Sequence, residues 1–172
     1  MPEHGASTKN RRAAASSETG IVMTHSYRVH FFHLVWSTKQ RHSFITPELQ
    51  SRLYPYLGSI VASHNGYLLE IGGMPDHVHL LIKLSNLDKF SHFIRDLKAS
   101  SSLWIHKNFP HLADFAWQEG YGSFSVSYSS IDQVKTYIQN QQEHHKKMTF
   151  EEEYKKFLLL HHVKFDDRFV LG

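Results

Sequence analysis

Two pairs of side chains in this 172-residue chain are spaced for chemistry. The first is His77 and His79, inside Met74-Pro75-Asp76-His77-Val78-His79-Leu80-Leu81-Ile82. Successive side chains of an extended strand alternate faces, so both imidazoles point to one side while Val78, Leu80, Ile82 and Leu84 point to the other. That is half of a metal site. The second pair is Tyr137 and Gln141, whose four-residue spacing stacks a phenol and an amide on one helical face. Together the four suit metal-assisted attack by a tyrosine.

The residue types fit that chemistry. A phenol with a pKa of about 10 is a weak nucleophile at neutral pH and must be aligned and deprotonated as it attacks. A divalent ion draws charge from phosphoryl oxygens. Two imidazoles and an amide oxygen suit manganese better than magnesium and leave positions open for substrate oxygens and water. Asp76 adjoins the pair and can add a ligand, orient a histidine from behind, or cap the turn after Pro75. Plainer readings stand beside these: a His-X-His pair in a strand is often two satisfied histidines, and a lone tyrosine is often packing. Here Val134 and Ile138 already supply the buried stripe, which leaves Tyr137 on its edge. His144 falls near the Tyr137 face, but with His145, Lys146 and Lys147 it reads as a solvated basic helix end. His161 and His162 read as structural or surface residues. His30 and His33 sit on opposite faces of the first strand, and one of them can neighbour the metal.

The elements that must carry these residues follow from pattern. Tyr27 to Trp36 is a β-branched and aromatic run, hence a central strand. Thr46-Pro47-Glu48 opens a helix that carries Leu49, Leu53, Leu57 and Ile60 to Ser63. After the Asn65-Gly66 turn, a strand spans Tyr67 to Ile71, Gly72-Gly73 breaks it, and the histidine strand runs to Leu84. A helix is expected from Leu87 to Lys107, stopped by Pro110. A strand at Tyr121 to Ser127, one helix from Ser130 to Lys147 and a short helix from Phe150 to His161 complete the chain. The order βαββαβα plus a helical tail predicts an α+β fold, a ferredoxin-like (RRM-like) antiparallel sheet with helices on one face and the other free for a ligand. No internal repeat is visible.

Length fits one domain, residues 23–172, after an N-terminal extension over 1–22 that is too polar to order itself; Met23 is a possible natural start. Forty-one per cent of residues are hydrophobic and 13% aromatic, enough for a packed core. Cysteine is absent, which excludes disulfides, thiolate metal sites and a Cys nucleophile. No run of about 18 apolar residues is present, nor an apolar leader, so a soluble intracellular protein is expected. Nineteen Lys+Arg against 16 Asp+Glu give +3, a balance that permits nucleic acid without demanding it.

Five blocks carry a resemblance: Leu34-Val35-Trp36-Ser37-Thr38-Lys39-Gln40-Arg41, Met74 to Leu81, Leu97-Lys98-Ala99-Ser100-Ser101-Ser102, Trp117-Gln118-Glu119-Gly120-Tyr121-Gly122, and Tyr137-Ile138 through Gln141. In this order, over Tyr27 to Leu171, the chain resembles the HUH-type single-tyrosine transposases of insertion-sequence 200/605 type. The resemblance implies that His77, His79 and Gln141 hold a divalent metal, Mg2+ or Mn2+, and that Tyr137 attacks single-stranded DNA to form a 5′-phosphotyrosine and a free 3′-OH. It implies no nucleotide hydrolysis. It also implies hairpin DNA as partner, a homodimer with sites shared between chains, no membrane, and a cytoplasmic place in a bacterial or archaeal cell. Phosphate contacts are expected from Lys39, Arg41, Arg95, Lys98, Lys107, Lys135 and Lys146, with Trp36, Trp104, Trp117 and Tyr121 as stacking partners for bases; Lys98 beside Ser100 to Ser102 is the favoured cluster. Three other functions fit the same residues: a domesticated relative that processes genomic palindromes, a non-catalytic nucleic-acid-binding module of this fold and, more weakly, a metal hydrolase.

Overall fold

The structure, a computed structural model, describes residues 27–168 and 170. The extension over 1–22 lies outside them. The elements run β1 (His30–Ser37), α1 (Pro47–Ser63), β2 (Gly66–Met74), β3 (His77–Leu84), α2 (Phe90–Asn108), β4 (Gly122–Ser125), α3 (Ile131–Gln139), α4 (Gln141–His144) and α5 (Phe150–Leu160). Every neighbouring pair of strands is antiparallel, in the order β2-β3-β1-β4. That is the α+β, ferredoxin-like arrangement expected.

Alternation along the strands decides what each face does. Leu34 and Trp36 of β1 join Val78, Leu80 and Ile82 of β3 under α1 and α2, all fully buried. Each such Leu or Ile contributes about 1.5–3 kcal/mol of transfer free energy. α1 starts where expected because the Thr46 hydroxyl accepts from the Leu49 amide and Pro47 opens the first turn. The opposite face presents His33 and Val35 from β1 and His77 and His79 from β3, all buried.

This second face is not bare. α3 and α4 lie against β2, and α5 seals the far side with Phe150, Tyr154 and Leu158 around Val35 and Phe124. Helices therefore cover both faces, because the tail is amphipathic and folds back over the apolar part of the ligand face. Two local expectations also change. β2 runs through Gly72-Gly73 to Met74 and pairs Gly72 with His79 instead of breaking. The single helix expected over Ser130 to Lys147 is interrupted at Asn140, which ends α3 and precedes α4.

Candidate active site

β3 places His77 opposite Ser37 of β1 and Met74 of β2, and His79 opposite Val35 and Gly72. Each ring is held from behind. His77 Nδ1 lies 2.7 Å from Asp76 Oδ1, and His79 Nδ1 lies 2.9 Å from His33 Nε2. A carboxylate only accepts, so His77 Nδ1 carries a proton and its Nε2 is the nitrogen turned into the site. That Nε2 faces Gln141 Oε1 at 3.4 Å. His79 Nε2 is buried with no hydrogen-bond partner among the described residues. With Asp76 and His33 on the rear nitrogens, the two front nitrogens and the Gln141 amide oxygen are placed to share a cation. The fit is chemical as well: two imidazoles and an amide oxygen, buried and oriented from behind, form a donor set for a divalent ion.

Tyr137 reaches this place because α3 docks very close to the sheet. A Cβ on Gly72 would stand 2.6 Å from the Ile138 carbonyl oxygen, so only glycine lets the helix backbone approach β2 there. Gly73, at φ +152°, would put a Cβ 2.2 Å from the His77 carbonyl oxygen, which fixes the turn leading into the histidine strand. Ile138 is buried beside Tyr137, and the break at Asn140 turns Gln141 inward, where it is 2% exposed. The Tyr137 and His79 ring centroids are 6.1 Å apart within one chain.

The sequence reading missed two residues. Glu153, on α5 and 1% exposed, accepts the Tyr137 hydroxyl hydrogen through Oε1, and the same oxygen accepts from the Gln141 amide at 3.1 Å. Its other oxygen, Oε2, lies 3.1 Å from His145 Nε2 and 3.5 Å from His79 Nε2. His145, expected as a solvated helix end, thus turns inward, while His144 Nε2 meets the Tyr137 oxygen at 3.1 Å. The available signal was weak: a glutamate in the first turn of an amphipathic tail, on its buried side.

Burial and pairing set the charges. Burial pushes His79 down to about 4 against the pull of Glu153, and burial with the neighbouring His79 holds His33 well below its ordinary value. Burial would raise the Glu153 carboxyl, but contacts with His145, His79 and Tyr137 outweigh it and hold it far below the usual range. Burial, then the Glu153 charge, pushes the Tyr137 phenol up. A phenol held this way stays protonated until its proton is taken in the attack.

The expected DNA contacts separate. Trp36 and Trp117 are core, Trp117 Nε1 donating to Ser101, and Trp104 stacks on Tyr56; they are filled by packing. Lys98 Nζ donates to the carbonyls of Gln118, Glu119 and Gly120 at 2.6–2.9 Å, and burial lowers its pKa to about 8, so it ties down that loop. Lys146 pairs with Glu143. Lys39, Arg41, Arg95 and Lys107 are exposed, Arg95 beside Asp96, and Lys135 is half-buried. Tyr121 is 37% exposed. A cavity of about 680 Å3 opens beside Tyr137 and Glu153, lined also by Phe124, Gln133, Lys156 and Phe157.

Residues 26–141 match the family described as transposase IS200 like. The chain belongs to that family. It is 29% identical over 115 residues to the ISDra2 transposase TnpA of Deinococcus radiodurans, covering 64% of this chain and 82% of that protein. A solved structure assigned as a transposase of Deinococcus radiodurans R1 superposes with a TM-score of 0.57 at 30% identity, over 68% of this chain and 94% of that one. A REP-associated tyrosine transposase bound to a REP hairpin shares the fold, with a TM-score of 0.54 at 16% identity, over 70% and 71% of the two chains. Among the described residues no helix of this IS200-like transposase is long and apolar enough to cross a membrane.

Proposed function

We propose that this IS200-like transposase cuts and rejoins single-stranded DNA through a covalent bond between Tyr137 and a 5′ phosphate. The observation that carries the proposal is the convergence, in one chain, of the Tyr137 hydroxyl with two inward-facing imidazole nitrogens and the Gln141 amide oxygen. His77, His79 and Gln141 would hold a divalent ion, with His33 and Asp76 fixing the two rings. When bound, such an ion supplies electrostatic stabilisation of the charge that builds on the phosphoryl oxygens.

The chain's own residues do the rest. Tyr137 Oη forms the bond to phosphorus, the bond from phosphorus to the 3′ oxygen breaks, and the phenol proton passes to His144 Nε2, 3.1 Å away, a stronger base than the Glu153 carboxylate that orients the hydroxyl. The departing 3′ oxygen takes up a proton from solvent water and leaves as a hydroxyl. Rejoining reverses these steps, with a 3′-OH attacking the phosphotyrosine, so no nucleotide need be hydrolysed. The cavity beside Tyr137 supports entry of an unpaired strand, and Lys156 on its wall offers a cation to the backbone. Exposed Lys39 and Arg41 near the Asp76 turn, with Arg95 and Lys135, are the proposed phosphate contacts to hairpin DNA. Lys98 is not among them. The nine-residue edge strand β2 and the short edge β4 support a two-fold dimer as a way to cover unpaired backbone.

The test is cleavage of a labelled single strand carrying a hairpin, with manganese or magnesium and with chelator. Cleavage should require the ion and an unpaired scissile position. Equal cutting in chelator would overturn the metal role, and no cutting of any single strand while the folded protein binds hairpins would favour a binding module instead.

A further inference from the structure

We propose that Glu153 of α5 is a fourth protein ligand to the divalent ion, with one carboxylate oxygen on the ion and the other on the nucleophile. The inference rests on the metal reading given above and extends it beyond residues 26–141, since α5 lies wholly outside the stretch that matches the family.

The geometry divides the carboxylate cleanly. Oε1 is filled by the Tyr137 hydroxyl and the Gln141 amide. Oε2 faces the histidine pair, 3.5 Å from His79 Nε2 and 3.9 Å from His77 Nε2, and the ligand atoms of His77, His79, His145 and Glu153 all lie within 4.8 Å of one another. Donors bound at about 2.1 Å to one ion stand roughly 3.0–3.5 Å apart, so these atoms need little movement to share one. His79 Nε2 is left without a hydrogen bond even though this carboxylate lies close by. At 3.5 Å the two stand too far apart for a good hydrogen bond and close enough for one cation to bind both. His145, 3.1 Å from Oε2, holds the carboxylate in place as a positioning residue. The capping box of Thr149 and Glu152 fixes the first turn of α5, and so the height of Glu153 over the sheet.

The experiment is a manganese titration of the full chain without DNA, followed by the electron paramagnetic resonance signal of the free ion. Glu153→Gln should weaken manganese binding by about tenfold or more, while Tyr137→Phe, which removes one of the contacts to the carboxylate oxygen turned away from the ion, should stay within about twofold of wild type. Wild-type affinity in a folded Glu153→Gln chain overturns the proposal. His77→Ala provides the separate arm: if it too leaves manganese binding unchanged, the metal reading itself fails, whereas a loss in His77→Ala with none in Glu153→Gln removes Glu153 alone. Should Glu153→Gln not fold, electron–nuclear double resonance on the manganese-loaded wild type with carboxyl-labelled glutamate decides. A coupled carboxyl carbon supports the ligand, and its absence overturns it.

Discussion

His77 and His79 work as a pair because other residues hold them: Asp76 and His33 occupy the rear nitrogens, so both front nitrogens face Gln141 and Glu153. Replacing either by alanine should abolish ion-dependent cleavage, with part of the activity returning at raised manganese. Gln141→Ala should cost less, about tenfold in ion affinity, because water can replace a neutral amide. Cleavage by His77→Ala at the wild-type rate would contradict this assignment. The same burial predicts a pH effect on the metal-free fold. His79, held near 4, and His33, also lowered, refuse protons that the unfolded chain accepts near 6.5, so stability falls as pH drops from 7 towards 4. His145, raised by Glu153 against its own burial, works the other way, one ring against the three of His33, His79 and His144, the last lowered by its own burial. The His79 contribution has an upper bound of about 3 kcal/mol. Melting in chelator should therefore start from a lower midpoint at pH 5 than at pH 7; an equal or higher one at pH 5 would refute the account.

At the scale of elements, the tyrosine helix is set by the sheet beneath it. Gly72→Ala would drive a methyl against the Ile138 carbonyl, costing about 1–3 kcal/mol as overpacking and displacing Tyr137. Cleavage should fall much further than stability, measured by pairing a denaturant midpoint with a cleavage rate; unchanged cleavage would mean that α3 does not depend on this approach. Period and capping made much of this legible in the sequence. The alternation in β3 and the Thr46-Pro47 start were visible because they are local. The break at Asn140, the inward turn of His145 and the place of Glu153 were not, since each depends on α5 folding back over the second face. The tryptophans misled for a related reason: a large aromatic reads alike as a core residue or a stacking platform until its neighbours are known.

Across the whole molecule, one chain gathers Tyr137, His77, His79 and Gln141, whereas the resemblance led us to expect sites shared between two chains. We therefore expect that mixing Tyr137→Phe with a His77→Ala/His79→Ala chain restores no cleavage even when subunits exchange; restored cutting would place the tyrosine in the partner's site. The central claim, that Tyr137 is the nucleophile of a strand-transfer site, is tested most directly by denaturing electrophoresis of the protein after reaction with labelled single-stranded DNA. Wild type should yield a covalent protein–DNA adduct that needs manganese or magnesium, and Tyr137→Phe, still able to bind the hairpin, should lose it on the order of ten-thousandfold or more. An adduct that persists in Tyr137→Phe, or cleavage by wild type with no adduct at any time, would contradict the account.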